Sequence, residues 1–130
     1  MCDETPALRV ATFVAGEGAF RLEAACVVTG AGVTVTVVSA EHGHVGATAQ
    51  AIPRPEPGRT ATTSLLAVPC HRDDVPAHDL AASLATRLGV PVAVSVGIHV
   101  DDATPAQIEQ LLACSRELGE KVAAWVESLR

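Results

Sequence analysis

The first half of the chain alternates between apolar and polar residues over several short stretches. In one stretch the apolar residues are spaced two apart, at Phe20, Leu22, Ala24, Cys26 and Val28. Because successive side chains of a strand point to opposite faces, this spacing predicts strands with one buried face. Five strands are predicted in this half, over Leu8–Ala15, Ala19–Val28, Val33–Ala40, Ala47–Ile52 and Ala61–Val68.

Glycine-rich turns separate the first three of these strands. The segments Gly16–Gly18 and Thr29–Gly32 are short enough to connect neighbouring strands as hairpins. Two successive hairpins predict an antiparallel meander with at least one half-solvated face. Further on, the proline-rich segment Pro53–Gly58 can neither form a helix nor pair within a sheet, so we predict an exposed loop there.

The second half of the chain changes to helical spacing. Leu80, Leu84 and Leu88 recur four residues apart, and Gly89 is a typical helix terminator. The next stretch, Val90–Val100, is apolar at odd and even positions alike. A strand of this kind is buried on both sides, so we predict that it is central in the sheet or faces a dimer partner.

A second helix is predicted from Pro105 to about Leu129. Its start is marked by Thr104 and Gln107, which have the spacing of a capping box. The elements therefore follow the order β-β-β-β-β-α-β-α, which predicts an α+β fold with an antiparallel sheet of about six strands and two helices. We expect a single domain over residues 1–130, with a disordered N-terminus over residues 1–7.

The apolar content of the chain is high. Hydrophobic residues make up 48% of the sequence and the mean hydropathy is +0.31. No apolar run approaches the roughly 20 residues that a membrane-spanning helix needs. Two explanations stay open for the excess: an apolar surface buried in a homodimer, or a core that is simply rich in Ala and Val.

Charge and cysteine content narrow the class of protein. The net charge of −6 argues against non-specific binding to nucleic acid or to an anionic membrane surface. No secretion signal is visible at Met1–Glu4, so a cytoplasmic protein is expected. The cysteines stand far apart, which predicts free thiols rather than a zinc knuckle, at Cys2, Cys26, Cys70 and Cys114.

The most informative polar segment is Gly97–Pro105, where the last strand meets the second helix. His99, Asp101 and Asp102 lie there beside a predicted helix N-terminus, which favours anions and polar ligands. His99 fits a hydrogen-bonded core histidine and a pocket residue equally well. The two aspartates can act as general acid and base, although consecutive carboxylates more often cap the following helix.

A second polar segment is His42-Gly43-His44. Two imidazoles with this spacing can bind a metal ion together with His71 or His99, but the glycine suggests a turn and the spacing matches no tight zinc motif. Local hydrogen bonds within a turn are the simpler interpretation. A third is contact with a polar ligand, which Gly46 would admit close to the backbone.

A third polar segment, Arg59–Ser64, places several hydroxyl groups behind an arginine. Arg54 lies nearby across the proline loop. Arginines, hydroxyls and loop amides are the groups that bind phosphate, and Thr60, Thr62 and Ser64 would share one strand face. Threonine is also a good strand former, so the phosphate interpretation and the purely structural one both stay open.

Other catalytic signals are weak. Cys70 and His71 are adjacent, and adjacent residues of an extended chain point in opposite directions, which argues against a Cys–His pair. Asp73 or Asp74 is better explained as the cap of the following helix. No glycine-rich nucleotide motif, nucleophile elbow or P-loop is present. With no Tyr, two Phe and one Trp, a bound flavin would have to lie against aliphatic side chains.

Taken together and in order, five segments resemble the LpdD-like prenylated flavin chaperone family. They are His44–Ala47, Ile52–Pro55, Thr60–Ser64, Val68–Asp74 and Gly97–Thr104. The resemblance covers the chain from about Leu8 to Leu129. This family comprises small bacterial accessory proteins of UbiD-type decarboxylases such as gallate decarboxylase. It is similar in fold to proteasome assembly chaperones, which commonly form homodimers. Cys70 departs from the family, in which a glycine is expected.

The resemblance implies a non-catalytic protein that binds prenylated FMN (or FMN) and assists its delivery to, or maturation in, a UbiD-type decarboxylase. The flavin prenyltransferase is a second candidate partner. Two alternatives stay open: a small enzyme that oxidises or otherwise matures the flavin with His99 and Asp101, and a cofactor-free assembly factor for the decarboxylase. Turnover of reduced cofactor and the colour of the purified protein distinguish them.

The predicted cofactor contacts come from the matched motifs. Arginines and hydroxyls would hold the phosphate, and histidines would contact the polar edge of the isoalloxazine. We expect the three polar segments to converge on one cavity. No catalytic and no metal-binding residue is assigned. The predicted contacts are His44, Gly46, Arg54, Arg59, Thr60, Thr62, Ser64, His71, His99 and Asp101.

Overall fold

The computed structural model describes residues 7–68 and 72–130. In this part of the chain the predicted order of strands and helices is confirmed. The strands are β1 (Arg9–Ala15), β2 (Leu22–Val28), β3 (Val33–Ser39), β4 (Ala47–Ile52), β5 (Thr62–Ala67) and β6 (Val92–Gly97). The helices are α1 (Asp74–Leu88), between β5 and β6, and α2 (Pro105–Ser128), after β6.

The strands form one six-stranded sheet in the order β1-β2-β3-β6-β4-β5. Four of its pairs are antiparallel, but β3 and β6 are parallel. The sheet is therefore mixed, because α1 carries the chain back so that β6 runs in the same direction as β3. The prediction of a central strand is confirmed: Val94 of β6 lies between Val35 of β3 and Ala49 of β4.

The core lies between one face of the sheet and the two helices. α1 packs on β4, β5 and β6, and α2 packs on β1 and β2. Side chains directed to this side are buried, for example Leu22, Val35 and Val94. The opposite side, here called the open face, is covered by neither helix. Of the residues that the six strands direct to the open face, Glu23 is the one that is charged. The central positions of the open face are occupied by Thr34, Thr36, Thr48, Gln50, Ala93 and Ser95.

The predicted strand boundaries differ from the observed ones mainly at two ends. Gly18–Phe20 forms a 3-10 turn, so β2 begins at Leu22 rather than at Ala19. β6 ends at Gly97 rather than at Val100, because the backbone of His44 lies directly against Gly97. The predicted N-terminal disorder concerns residues 1–7, of which only Ala7 belongs to the described part of the chain.

The helix ends follow the local signals in the sequence. Gly89 adopts the left-handed conformation (φ 70°) and its amide donates to the Ala85 carbonyl, which ends α1. Thr104 and Gln107 form both hydrogen bonds of the predicted capping box at the start of α2. In the described part of the chain, neither helix has the length and hydropathy needed to cross a membrane.

Candidate functional site

Polar side chains converge at one end of the sheet, where β3 and β6 end and β4 and α1 begin. We call this group the imidazole–carboxylate cluster; it consists of His42, His44, Asp73, His99 and Asp101. Two of the three polar segments singled out in the sequence therefore meet in the folded chain, since the segment around His44 contacts the one around His99. The cluster is the candidate functional site.

Asp73 links three parts of the chain at this site. Its side chain is almost fully buried, with the residue 3% exposed. One carboxylate oxygen, Oδ2, lies 3.1 Å from His44 Nε2, and the other, Oδ1, accepts a hydrogen bond of 2.9 Å from the Ile98 amide. Asp73 occupies the N-cap position of α1, but its side chain makes no capping bond. The predicted capping role is wrong for this side chain, because both oxygens are used by residues distant in sequence.

Gly46 is adjacent to the same carboxylate. A Cβ atom at this position would collide with Asp73 Oδ2, so the close approach of the two residues requires a glycine. The Gly46 amide donates to the Val96 carbonyl, and the Gly46 carbonyl accepts from the Val68 amide. The backbone at Gly46 is therefore fixed between β6 and the end of β5.

His44 is held through both ring nitrogens. Nδ1 lies 3.0 Å from the carbonyl oxygen of His42, and Nε2 faces Asp73. His42 itself has a left-handed backbone (φ 60°), which is typical of a tight turn. The interpretation of this segment as a turn with local hydrogen bonds is therefore confirmed. Both ring nitrogens of His44 therefore already have a partner within this chain.

His99 lies on the other side of the cluster. Its Nε2 is 2.8 Å from Asp101 Oδ1, and its ring meets that of His42 edge to face at a centroid distance of 6.0 Å. Ser39 fixes the backbone here: its hydroxyl donates to the His99 carbonyl and accepts from the His99 amide. The His99 side chain is 47% exposed. Its exposure rules out a core histidine, and its role in a ligand pocket stays a prediction.

A cavity of about 250 Å³ opens beside His99, between the end of β6 and the first turns of both helices. Arg72, Asp73 and His99 supply its polar groups. Most of the wall is aliphatic, formed by Ile98, Val100, Ala103, Ile108, Leu111 and Leu112. The volume is below the roughly 300–1,000 Å³ of a pocket that encloses a whole drug-sized ligand. The cavity of one chain therefore suits a part of such a ligand.

The third polar segment lies elsewhere. Thr62 pairs with Ile52 at the far end of β4, and the Ala61 amide donates to Thr86 near the end of α1. β4 has six residues, so its two ends are ~17 Å apart. The expectation that all three segments converge on one cavity is wrong within a single chain, because the hairpin of β4 and β5 directs its loop away from the cluster. The residues placed there are Arg54, Arg59, Thr60, Thr62 and Ser64.

Details of this segment also differ from the prediction. Thr62 and Ser64 share the open face of β5, as predicted, but Thr60 precedes the strand. The remaining predicted contact, His71, lies outside the described residues together with Cys70, so the structure places neither. The predicted role of these side chains in binding phosphate or flavin stays a prediction.

Two residues of the site were missed by sequence reasoning. Ser39 occupies the next buried position of β3 after Val35 and Val37. A polar residue at a buried position needs a hydrogen-bond partner, so this break in the apolar pattern could have identified Ser39 from the sequence. Asp73 carried no such signal, because an aspartate before a helix is ordinarily a cap. Its contacts come from 29 residues upstream and 25 residues downstream.

Metal binding and thiol chemistry receive no support at this site. Within residues 7–68 and 72–130, no group of three or more His, Cys, Asp or Glu side chains is arranged so that it could hold a metal ion, the imidazole–carboxylate cluster included. Cys26 and Cys114 are free thiols, as predicted. Burial raises the pKa of Cys26 to about 11, so its thiol stays protonated and unreactive near neutral pH.

Comparison with known structures defines the class of fold. A chain of the crystal structure of a novel chaperone complex for yeast 20S proteasome assembly superposes with a TM-score of 0.61. The match covers 95% of this chain and 98% of that chain, at 13% sequence identity, and therefore establishes the fold alone. The predicted fold of a proteasome assembly chaperone is confirmed.

Comparison with protein families goes further. The family described as prenylated flavin chaperone LpdD-like domain matches residues 16–127, which is most of the sequence. The chain therefore belongs to this family of chaperones, as its motifs predicted. No curated protein sequence matches the chain.

Proposed function

We propose that this protein is a non-catalytic carrier that binds prenylated FMN at the imidazole–carboxylate cluster and passes it to a UbiD-type decarboxylase in the cytoplasm. The observation that carries the proposal is the meeting of His44, Asp73 and His99 beside an aliphatic cavity. Membership of the prenylated flavin chaperone family supports the same ligand. The cofactor is cargo here, and its decarboxylation chemistry belongs to the client enzyme.

The donor set at the cluster fits the polar edge of a flavin. Imidazoles can donate to or accept from the ring carbonyls and ring nitrogen of an isoalloxazine. His99 is the side chain proposed to do so, with Asp101 orienting its ring at 2.8 Å. Both ring nitrogens of His44 already face His42 and Asp73, so His44 is proposed to contact the ligand through the carbon atoms of its ring. Gly46 leaves room for the carboxylate that orients His44. His71, predicted from the motif, is proposed as a further contact.

The described wall of the cavity offers no large aromatic side chain on which a flavin ring could stack. No Phe or Trp lines it, and the pair formed by Phe13 and Trp125 packs elsewhere, with ring centroids 6.0 Å apart. Aromatic stacking on a bound ring adds stabilisation beyond simple area burial. A site without it favours moderate affinity and release of the ring system. Moderate affinity suits a protein that must hand its ligand on.

A homodimer is part of the proposal. The open face presents a six-stranded surface on which Glu23 is the one charged strand residue, whereas an ordinary solvent-facing surface is about one quarter to one third charged. Exposed Val10, Val14, Ile52 and Leu66 point to the same side. A second copy of this chain fits such a surface. In a two-fold symmetric dimer the open faces of the two copies would pack against each other, and no charged strand residue would be buried at the centre of the interface.

The dimer would also explain the distant phosphate segment. Thr62 lies opposite the far end of β4, ~17 Å from the end beside the cluster, and Ser64 lies opposite Gln50 nearer the middle. Both lie on the face through which we propose the dimer forms, and Arg54, Arg59 and Thr60 belong to the loop beyond that far end. We propose that they hold the phosphate of a cofactor bound at the partner's cluster. Mixed dimers test this: a chain lacking Arg59 and a chain lacking His99 should together restore one site.

The experiment that tests the function is a transfer assay. The protein, co-expressed with a flavin prenyltransferase and purified without oxygen, should carry the absorbance of prenylated FMN and activate an apo-decarboxylase in proportion to the cofactor supplied. His99→Ala should lower the cofactor content, and His78→Ala, an exposed histidine outside the cluster, should not. If each chain oxidises many equivalents of reduced cofactor, the alternative of a small enzyme that oxidises the flavin would be favoured. A colourless preparation that still activates holo-decarboxylase assembly would favour the cofactor-free assembly factor.

A further inference from the structure

The cavity beside His99 is more apolar than a flavin requires. Six aliphatic side chains form most of its wall, and Leu111 and Pro76 at its base are buried. The polar edge and the phosphate of FMN are hydrophilic, whereas a prenyl-derived unit is a five-carbon aliphatic group, about the size of a leucine side chain. An aliphatic wall gains free energy from burying an apolar group, and the prenyl-derived unit is the apolar group that FMN lacks.

Buried polar atoms at the cavity are already satisfied. Both Asp73 oxygens have partners, and the Ile98 amide donates to one of them. Among the described residues, the buried side-chain oxygens that lack a hydrogen bond lie on other residues and do not line this cavity. No buried side chain in the described wall therefore awaits a polar group of a ligand, and a polar group placed against its aliphatic side chains would lose its own hydration without compensation.

The charges around the cavity disfavour a phosphate inside it. The Asp73 carboxylate lies in its wall, and like charges repel strongly where water is excluded. Among the described residues of the wall, Arg72 is the one arginine or lysine, but its side chain is 88% exposed and lies 3.5 Å from Asp74. We therefore place the phosphate elsewhere, which leaves the aliphatic part of the cavity for an apolar group of the ligand.

We infer that this cavity receives the prenyl-derived unit of the cofactor and that the protein thereby selects prenylated FMN over FMN. The inference rests on the proposed function and assigns it a specificity determinant. The imidazoles contact groups that both flavins share. Ala103, Ile108 and Leu112 contact the group that only one of them carries. Removing or blocking such an aliphatic contact typically changes affinity by about tenfold or more.

The test compares two ligands and two matched variants. Reduced prenylated FMN and reduced FMN are titrated anaerobically into the full chain and followed by flavin absorbance and fluorescence. We expect the native protein to bind the prenylated form at least about tenfold more tightly. Ala103→Leu fills the cavity and should abolish this preference while leaving FMN affinity unchanged. Ala106→Leu adds the same bulk at an exposed position outside the cavity and should keep the preference.

A second variant keeps the result interpretable if Ala103→Leu is unstable. Ile108 is 47% exposed, so Ile108→Ser should fold, and it should weaken binding of the prenylated flavin alone. Equal affinity of the native protein for both flavins, or an equal loss of both in either variant, would overturn the inference while the proposed function stands. Failure to bind either flavin would overturn both.

Discussion

The Nε2 atom of His44 lies 3.1 Å from Oδ2 of Asp73, across a separation of 29 residues in the chain. This contact joins the segment before β4 to the start of α1, and the second oxygen of the same carboxylate holds the Ile98 amide after β6. One buried side chain thus fixes the relative positions of the segment before β4, the start of α1 and the segment after β6. The geometry of the candidate site depends on Asp73 more than on any residue that faces the cavity mouth.

The first prediction concerns the stability contributed by Asp73. Asp73→Ala leaves the Ile98 amide and the His44 ring without their acceptor, so we expect a loss of about 2–4 kcal/mol in the free energy of unfolding. Urea denaturation followed by Trp125 fluorescence measures it. Asp79→Ala, at an exposed position of α1, is the control and should change stability by less than about 0.5 kcal/mol. Equal stability of the two variants would contradict this account.

The second prediction concerns the close approach at Gly46. Gly46→Ala introduces a Cβ that collides with the Asp73 carboxylate, so we expect destabilisation by about 1–3 kcal/mol and a weaker affinity for the flavin. Gly30→Ala is a matched control, because a Cβ at Gly30 meets nothing within 4 Å. Thermal unfolding and flavin titration of both variants provide the measurement. If Gly46→Ala retains native stability, the carboxylate must be able to move away without cost.

Most of the fold was predictable because its signals are local. The boundaries of β4 followed from alternation on one side and prolines on the other, and the capping box at Thr104 fixed the start of α2. The site was predictable only in part. The role of Asp73 depends on contacts with His44 and Ile98 that no local pattern encodes, and its position before a helix suggested a cap instead.

The position of the third polar segment, Arg59–Ser64, shows a second limit of prediction from sequence. A residue's chemistry is visible in the sequence, but the end of the sheet at which it lies depends on strand direction. Arg59 follows the loop between β4 and β5, whereas His44 precedes β4, so the antiparallel pairing of these strands must separate the two. The sequence shows which side chains can form hydrogen bonds or ion pairs, but it could not predict this separation.

The third prediction is a pH dependence that arises from Cys26. Burial raises the pKa of this thiol from 9.0 to about 11 in the folded protein. Above pH 9 the unfolded chain releases the proton while the folded chain retains it, so this contribution to stability is complete below pH 9 and is lost as pH rises toward 11. The loss is at most ~3 kcal/mol, at 1.36 kcal/mol for each unit of pKa.

Urea denaturation at several pH values between 8 and 11 measures this effect, with Cys26→Ala as the comparison. The variant begins less stable because it leaves a small cavity, but its stability should fall less steeply over this interval. Identical slopes for the native protein and Cys26→Ala would show that the buried thiol ionises as readily as an exposed one.

The last prediction concerns the open face and the proposed dimer. Thr36 lies at the middle of β3, between Ala25 and Ser95 of its neighbours, and is exposed in one chain. If a second copy covers this face, Thr36→Arg buries two like charges close to the two-fold axis, which is costly without partners. We expect this variant to be monomeric by light scattering and to keep its secondary structure.

Gln110→Arg adds the same charge to an exposed position of α2 and should leave the mass of the native dimer unchanged. Because the phosphate contacts are proposed to come from the partner, the monomer should also bind the flavin more weakly than the control does. A native protein that is monomeric at micromolar concentration, or a Thr36→Arg variant of unchanged mass, would place the interface elsewhere.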